Sequence, residues 1–181
     1  MAAGTTLFRI NVDLSNVDAG EYQSFELRLA QHPSEDPPRV VARALAYCLA
    51  YEEALEWGKG LDEPDEPALL VRDGAANLKH WIDVGTPSAE RMHKASKAAA
   101  RLTIVCHKST EALVRERERR AIHRVEHVGV WLLDPTLVAA LAERLERHSQ
   151  WVVVKTNGEL MVTVGDASLS GPILETTLAA L

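Results

Sequence analysis

Two aspartates, Asp65 and Asp83, close the two ends of "DEPALLVRDGAANLKHWIDVG", in which two short apolar runs flank a Gly-bearing turn. With that turn centred near Ala75, paired residues across a hairpin sum to about 150, which sets Asp83 opposite Pro67 and Asp65 opposite Gly85. The aspartates then become diagonal neighbours on one face, about 5 to 8 Å apart, a span over which two carboxylates can share a divalent cation. Carboxylates this close repel each other unless a cation compensates, which suits Mg2+ or Mn2+. Such an ion polarises a phosphate oxygen and activates a water. A register slip of one residue would bring Glu66 to that face instead. In the competing reading "DEPDEP" is a solvated loop and Asp83 caps the next turn.

Basic groups that could meet a phosphate lie nearby in sequence. Arg91 and Lys94 stand three apart on one face of the helix expected in "TPSAERMHKASKAAARL"; they either reach a scissile phosphate or remain solvent-facing charges. Arg39 and Arg43, four apart on an earlier helix, either contact nucleic-acid phosphates or pair with Glu35, Asp36 and the acidic loop. The arginine-rich "RERERRAIHR" is a local basic stretch, open to a nucleic-acid backbone or simply a solvated helix face. His32 reads as a turn residue beside Glu35 or as a group that orients a metal or phosphate. No two-His-plus-carboxylate grouping falls on one element, which argues against zinc. There is neither a Gly-rich phosphate loop nor a nucleophile elbow.

These groups need a scaffold, and 181 residues that are 46% hydrophobic can bury a core within one domain spanning 1–181. A formal net charge of -6 weakens the case for a wide basic surface and leaves room for a local basic patch. Cys48 and Cys106 both sit in apolar runs and read as buried thiols of a reducing compartment. The start lacks the basic and apolar regions of a signal peptide, and no run approaches a membrane span, so a soluble, cytoplasmic protein is expected with no membrane partner.

Period-two alternation over residues 5–15 and 21–30 predicts an N-terminal hairpin. Ser34 or Asp36, followed by Pro37 and Pro38, opens a helix expected over about 37–57, ended by Gly58 and Gly60. Thr86 or Ser88 caps the next helix, and "LTIVCH" and "VGVWLL" read as strands with the charged helix "STEALVRERERRAIHR" between them. Asp134 and Pro135 open a further helix, and Asn157-Gly158 joins a second hairpin. Strands interleaved with helices predict an α/β fold, a mixed central sheet flanked by helices with added β-hairpins.

Several separated motifs, in order, carry a family resemblance: Leu-Ala-Gln-His-Pro-Ser-Glu at 29–35, Gly60-Leu61 followed by Asp-Glu-Pro-Ala-Leu ending at Leu69, "WIDVGTP" at 81–87 and "RMHKAS" at 91–96. Together they resemble the YaeQ family, along most of residues 5–165 and most densely between 29 and 106. The resemblance implies a variant of the PD-(D/E)XK nuclease-like fold. It maps Asp65 to the first acid, Asp83 to the second and Glu35 to the helix acid that completes the shell of a Mg2+ or Mn2+ ion. The superfamily pattern wants a lysine two residues after the second acid, where this chain has Gly85. Some members supply the base from the following helix, a role that falls on Lys94. The activity so implied is metal-dependent phosphodiester or nucleic-acid cleavage; the alternative is a non-catalytic nucleic-acid or protein-interaction module that kept the fold and lost the chemistry.

Overall fold

The computed structural model describes residues 4–59, 63 and 65–181. Gly60, expected to help end the first helix, and Leu61, Asp62 and Pro64 of the acidic loop lie outside the described residues. In chain order the elements are β1 (Thr6–Asn16), β2 (Glu21–Gln31), α1 (Pro37–Leu49), β3 (Leu55–Trp57), β4 (Leu69–Arg72), β5 (Leu78–Val84) and α2 (Ala89–Ala98). Next come β6 (Arg101–Cys106), α3 (Thr110–Arg119), β7 (Gly129–Leu133), α4 (Pro135–Ala142), β8 (His148–Thr156), β9 (Glu159–Val164) and β10 (Ala167–Thr177). The fold is mixed α/β, with ten strands and four α-helices among the described residues. None of those helices is long and apolar enough to cross a membrane.

The chain divides into two compact units, the first made of residues 1–49 and 133–173 and the second of 50–132 and 174–181. In the first, strands run in the order β2-β1-β8-β9-β10. β1 and β2 form the expected hairpin, with Phe8 opposite Leu29 and Val12 opposite Phe25, so that alternate apolar residues share the buried face. β8 joins β1 in parallel, and Asn157 and Gly158, both at positive φ (52° and 74°), turn the chain into antiparallel β9. That pair of left-handed residues matches the twist of the flanking strands, which is why Asn-Gly signals a tight hairpin. Asp134 caps α4 by accepting from the backbone N–H groups of Thr136 and Leu137.

The second unit orders its strands β7-β6-β5-β4-β3, with β5, β6 and β7 parallel and β3 and β4 antiparallel to their neighbours. Trp81, Met92, Leu102, Ile104, Leu113 and Val130 form its core, with Leu178 from the C-terminal segment. Both cysteines are buried free thiols, as their sequence setting implied, and burial pushes Cys48 up to about 12.

Two helix boundaries differ from expectation: the charged helix expected through Arg124 stops at Arg119, where Arg120 turns to extended backbone, and the first helix is also shorter. α1 ends at Leu49 rather than near residue 57, and Leu55–Trp57 forms β3, with Leu55 opposite Val71 and Trp57 opposite Leu69. Leu-Glu-Trp is an apolar-polar-apolar triplet that suits either a last helical turn or a short strand, and pairing with β4 decides it.

His80 is buried on β5 with its Nε2 2.9 Å from Thr103 Oγ1 on β6. Burial, joined by the positive charges of Arg101 and Lys79, pushes its pKa down to about 3. The unfolded chain takes up a proton near pH 6.5 and the folded chain does not, so stability present above that pH is lost as pH falls toward 3. The expected cost is about 1.4 kcal/mol at pH 5.5 relative to pH 7.5. Urea unfolding of the parent and of His80→Gln over this range checks it; an equal loss in both rules out His80 as the source.

Candidate functional site

β5 is buried on both faces along Trp81, Ile82, Asp83 and Val84, as expected of a strand with a parallel neighbour. A carboxylate there needs a partner, and Asp83, only 4% exposed, has one. Arg91 grips it through two bonds, Nε to Oδ2 at 2.7 Å and Nη2 to Oδ1 at 2.8 Å. The same Nη2 donates to the backbone carbonyl of Glu66 at 2.6 Å, and the guanidinium lies 5.5 Å from the centroid of the Trp81 ring. Trp81 and Asp83 are two apart on a strand and therefore project to the same side, where one arginine can serve both.

Arg91 reaches this position because α2 begins where it does. Ser88 is the N-cap, its Oγ accepting from the Arg91 N–H, and Glu116 Oε2 accepts from the Ala89 N–H at 3.0 Å. One turn further on, Lys94 Nζ donates to Asp65 Oδ1 at 2.6 Å. This second pair is open to solvent, with Lys94 57% and Asp65 79% exposed. The hydrogen bond from Lys94, reinforced by the charges of Lys94 and Arg91, holds the Asp65 carboxyl below the usual carboxylate range. Asp65, Trp81, Ser88, Glu90, Arg91 and Lys94 line one pocket of about 190 Å3.

Asp65 and Asp83 are not diagonal neighbours across a hairpin. β4 starts at Leu69, so Asp65 precedes the strand, and Leu69 pairs with Ile82. An irregularity between Val71 and Arg72 shifts the register by one relative to a regular hairpin about Ala75, and no pattern of apolar residues announces such a bulge. The structure instead brings each aspartate to a basic residue of α2. Gly85, where the nuclease-like pattern wants lysine, has φ 105°, a conformation that side-chain-bearing residues rarely adopt.

Glu35 belongs to the first unit and is also buried. Arg43 Nη1 donates to both its oxygens at 3.2 and 3.0 Å, Arg39 Nε lies 3.4 Å away, and the His32 N–H donates to Oε2 at 3.3 Å. Arg39 and Arg43 are thus both turned to Glu35, the second of the two roles their spacing allowed. No group of three or more His, Cys, Asp or Glu side chains placed to hold a metal ion occurs among the described residues. Sequence reasoning does not single out Trp81, Ser88, Glu90 or the Glu66 carbonyl as parts of the site. For Trp81 the available signal is its two-residue offset from Asp83.

The Asp65–Lys94 pair gives a titration that can be followed directly. Asp65 is protonated only at a depressed pH in the folded chain, so its contribution to stability exists above its unfolded pKa and is lost as pH falls through the folded one. In Lys94→Ala the Asp65 carboxyl should titrate higher, back toward the ordinary aspartate range. Carboxyl 13C NMR would read this, and an unmoved Asp65 titration would refute the pairing.

A family model described as YaeQ protein matches residues 1–171. The chain is 28% identical over 149 residues to "Uncharacterized protein YaeQ" of Escherichia coli (strain K12), covering 81% of this chain and 82% of that protein. Its Salmonella typhi counterpart of the same name is 28% identical over 148 residues, with the same two shares covered. The crystal structure of YaeQ protein from Xanthomonas axonopodis pv. citri superposes with a TM-score of 0.86 at 30% identity, over 96% of this chain and 98% of that one. The Pseudomonas syringae YaeQ structure gives 0.82 at 27% identity over 96% of both chains. The motifs read from the sequence, the family model and the shared architecture agree: the chain belongs to the YaeQ family.

Proposed function

We propose that the chain is a metal-dependent phosphodiesterase of the PD-(D/E)XK-like kind, with its centre at the pocket lined by Asp65, Arg91 and Lys94 and with Asp83 buried behind Arg91. The observation that carries this reading is that one helix presents two cations, three residues apart, each closed onto one of the two aspartates. Such a set is self-neutralised and ready to exchange partners: the carboxylates toward a divalent ion, the cations toward phosphate oxygens. Mg2+ commonly uses only one or two carboxylates together with water and substrate phosphates, so two aspartates fit its donor needs. Asp65 is open to an ion, while Asp83 becomes available as Arg91 turns to the phosphate. When bound there by Asp65 and Asp83, Mg2+ or Mn2+ supplies Lewis acidity and a more acidic water.

The chain's own groups do the remaining work. Lys94, on a flexible stem, orients the phosphate and neutralises developing negative charge; Arg91 adds a planar fork suited to two phosphate oxygens. The indole of Trp81 keeps water from the inner wall. Lys94 stands in for the lysine that the backbone at Gly85 disfavours. Glu35, held by Arg43 and Arg39, anchors the entry to α1 rather than completing a metal shell.

One observation favours a second reading, a non-catalytic interaction module on the same fold: Arg91 is held at once by both Asp83 oxygens, the Glu66 carbonyl and the Trp81 face. Calorimetric titration with Mn2+, paired with hydrolysis of bis(p-nitrophenyl) phosphate, separates the two. The hydrolase reading expects millimolar Mn2+ binding that disappears in Asp83→Asn, and turnover that falls about a hundredfold or more in Lys94→Ala. Absence of both Mn2+ heat and turnover in the parent protein leaves the interaction module.

A further inference from the structure

The charge of this chain is distributed very unevenly. Residues 91–124 hold ten lysines and arginines against three glutamates, a net of +7, while the other ten cations face twenty-three acids, a net of -13. This basic block comprises α2, β6, α3 and the turn beyond it, all in the second unit. Part of it is consumed internally: Arg91 on Asp83, Lys94 on Asp65, Arg119 on Glu116, and Arg117 on the carbonyls of Leu178 and Ala179. Lys97, Arg115, Arg120 and Arg124 are exposed and have no carboxylate partner among the described residues.

Three of those four lie along α2. Lys97 is three residues beyond Lys94 and so its neighbour on the helix surface. His93 Nδ1 donates to the Ala121 carbonyl at 3.1 Å, which ties the 120–124 turn to the middle of α2. Arg124 shares a small hollow with Ser96, Ala99 and Ala100 at the end of the helix. Arg124 also holds a left-handed backbone, φ 51° and ψ 42°, which is uncommon for a long side chain. The cations therefore continue from the Lys94 side of the pocket along α2, with Arg120 next to the residue bonded to mid-helix His93 and with Lys97 and Arg124 toward the helix C-terminal end, all three without a carboxylate partner among the described residues.

We infer that this strip, Lys97, Arg120 and Arg124 running on from Lys94, is a track for the phosphate backbone of a nucleic acid, so that the pocket's substrate is a polynucleotide rather than a small phosphodiester. The inference rests on the proposed site for the fate of the bound strand, but not for the binding itself. An acidic protein that leaves several cations without carboxylate partners on and next to one helix concentrates its attraction for polyanions there, and phosphate contacts of this sort release counterions on binding.

The test measures fluorescence anisotropy of labelled single-stranded and duplex oligonucleotides with the full chain in EDTA, so that failure of the metal reading leaves this result untouched. Binding by the parent should weaken steeply with salt. In Lys97→Gln/Arg120→Gln/Arg124→Asn the slope of log affinity against log salt should fall by about 2 to 3, as three lost contacts imply at about 0.7 each for single strands and 0.9 for duplex. A control with equal charge removal elsewhere, Arg28→Gln/Arg72→Gln/Lys79→Gln, should retain the parent slope. Loss of binding in both triple variants alike would reduce the effect to net charge and overturn the track. So would failure of both oligonucleotides to bind at low salt, or sedimentation with phosphatidylserine vesicles in place of oligonucleotide binding. Asparagine at 124 tolerates the left-handed backbone, and matching urea midpoints for the two triple variants exclude misfolding as the cause.

Discussion

Arg91→Leu should cost about 3 kcal/mol of folding stability, near the lower end of the loss expected when one partner of a buried ion pair is removed. The side chain of Asp83 is 5% exposed and that of Arg91 26%, so the carboxylate is the member that cannot recover its hydration. Leucine keeps the apolar stem against Trp81 and removes every donor, leaving the two Asp83 oxygens and the Glu66 carbonyl without the guanidinium. The double variant Asp83→Leu/Arg91→Leu should recover most of that loss, because replacing both charges with apolar groups removes the stranded carboxylate. Urea unfolding of the four proteins closes the cycle, and a loss below about 1 kcal/mol in the single variant would show that the pair is incidental. If Arg91 occupies the place a divalent ion would take, millimolar Mn2+ should also raise the unfolding midpoint of Arg91→Leu more than that of the parent. Equal shifts would speak for the non-catalytic module.

That arginine illustrates where sequence reading stops. Local chemistry is legible: Ser88 and Asp134 as caps, the alternation of β1 and β2, and Asn157-Gly158 as a hairpin turn all depend on interactions within a few residues. The family motifs around Asp65, Asp83, Arg91 and Lys94 point to the stretch of chain where these acids and cations meet. Which cation meets which acid cannot be read there. The exposed pair Lys94–Asp65 spans 29 residues, and its geometry depends on where β4 begins and on the shift at Val71/Arg72. The end of α1 escapes for a similar reason, since Leu55 satisfies a helical stripe and a β-pair equally well until Val71 lies opposite it. Gly85 is the converse case: its departure from the nuclease-like pattern is visible in the sequence, but the physical reason, φ 105°, resides in the backbone.

Gly58→Ala is expected to have a larger effect than its size suggests. A Cβ built on Gly58 stands 1.9 Å from the carbonyl oxygen of Pro67 and 2.9 Å from its carbonyl carbon. Both atoms are backbone, and Pro67 is buried, so no rotamer change relieves the overlap; the segments must separate. They are joined by the Gly58 N–H bond to the Ala68 carbonyl at 3.0 Å, while Ala68 N–H donates to Ile82 on β5. Separation therefore disturbs the path that places Glu66 under Arg91 and Asp65 beside Lys94, and it should cost about 3 kcal/mol or more. Gly74, whose added Cβ meets nothing within 4 Å, is the matched control and should change by less than about 1 kcal/mol on substitution by alanine. Thermal or urea unfolding of the two variants tests the packing claim, and equal midpoints would refute it. The same disturbance predicts that Asp65 loses its depressed titration in Gly58→Ala while Lys94 is still present, because the acid has moved away from its cation. An unchanged Asp65 titration in a destabilised Gly58→Ala would mean that the strand start absorbs the strain and the pocket is mechanically independent of it.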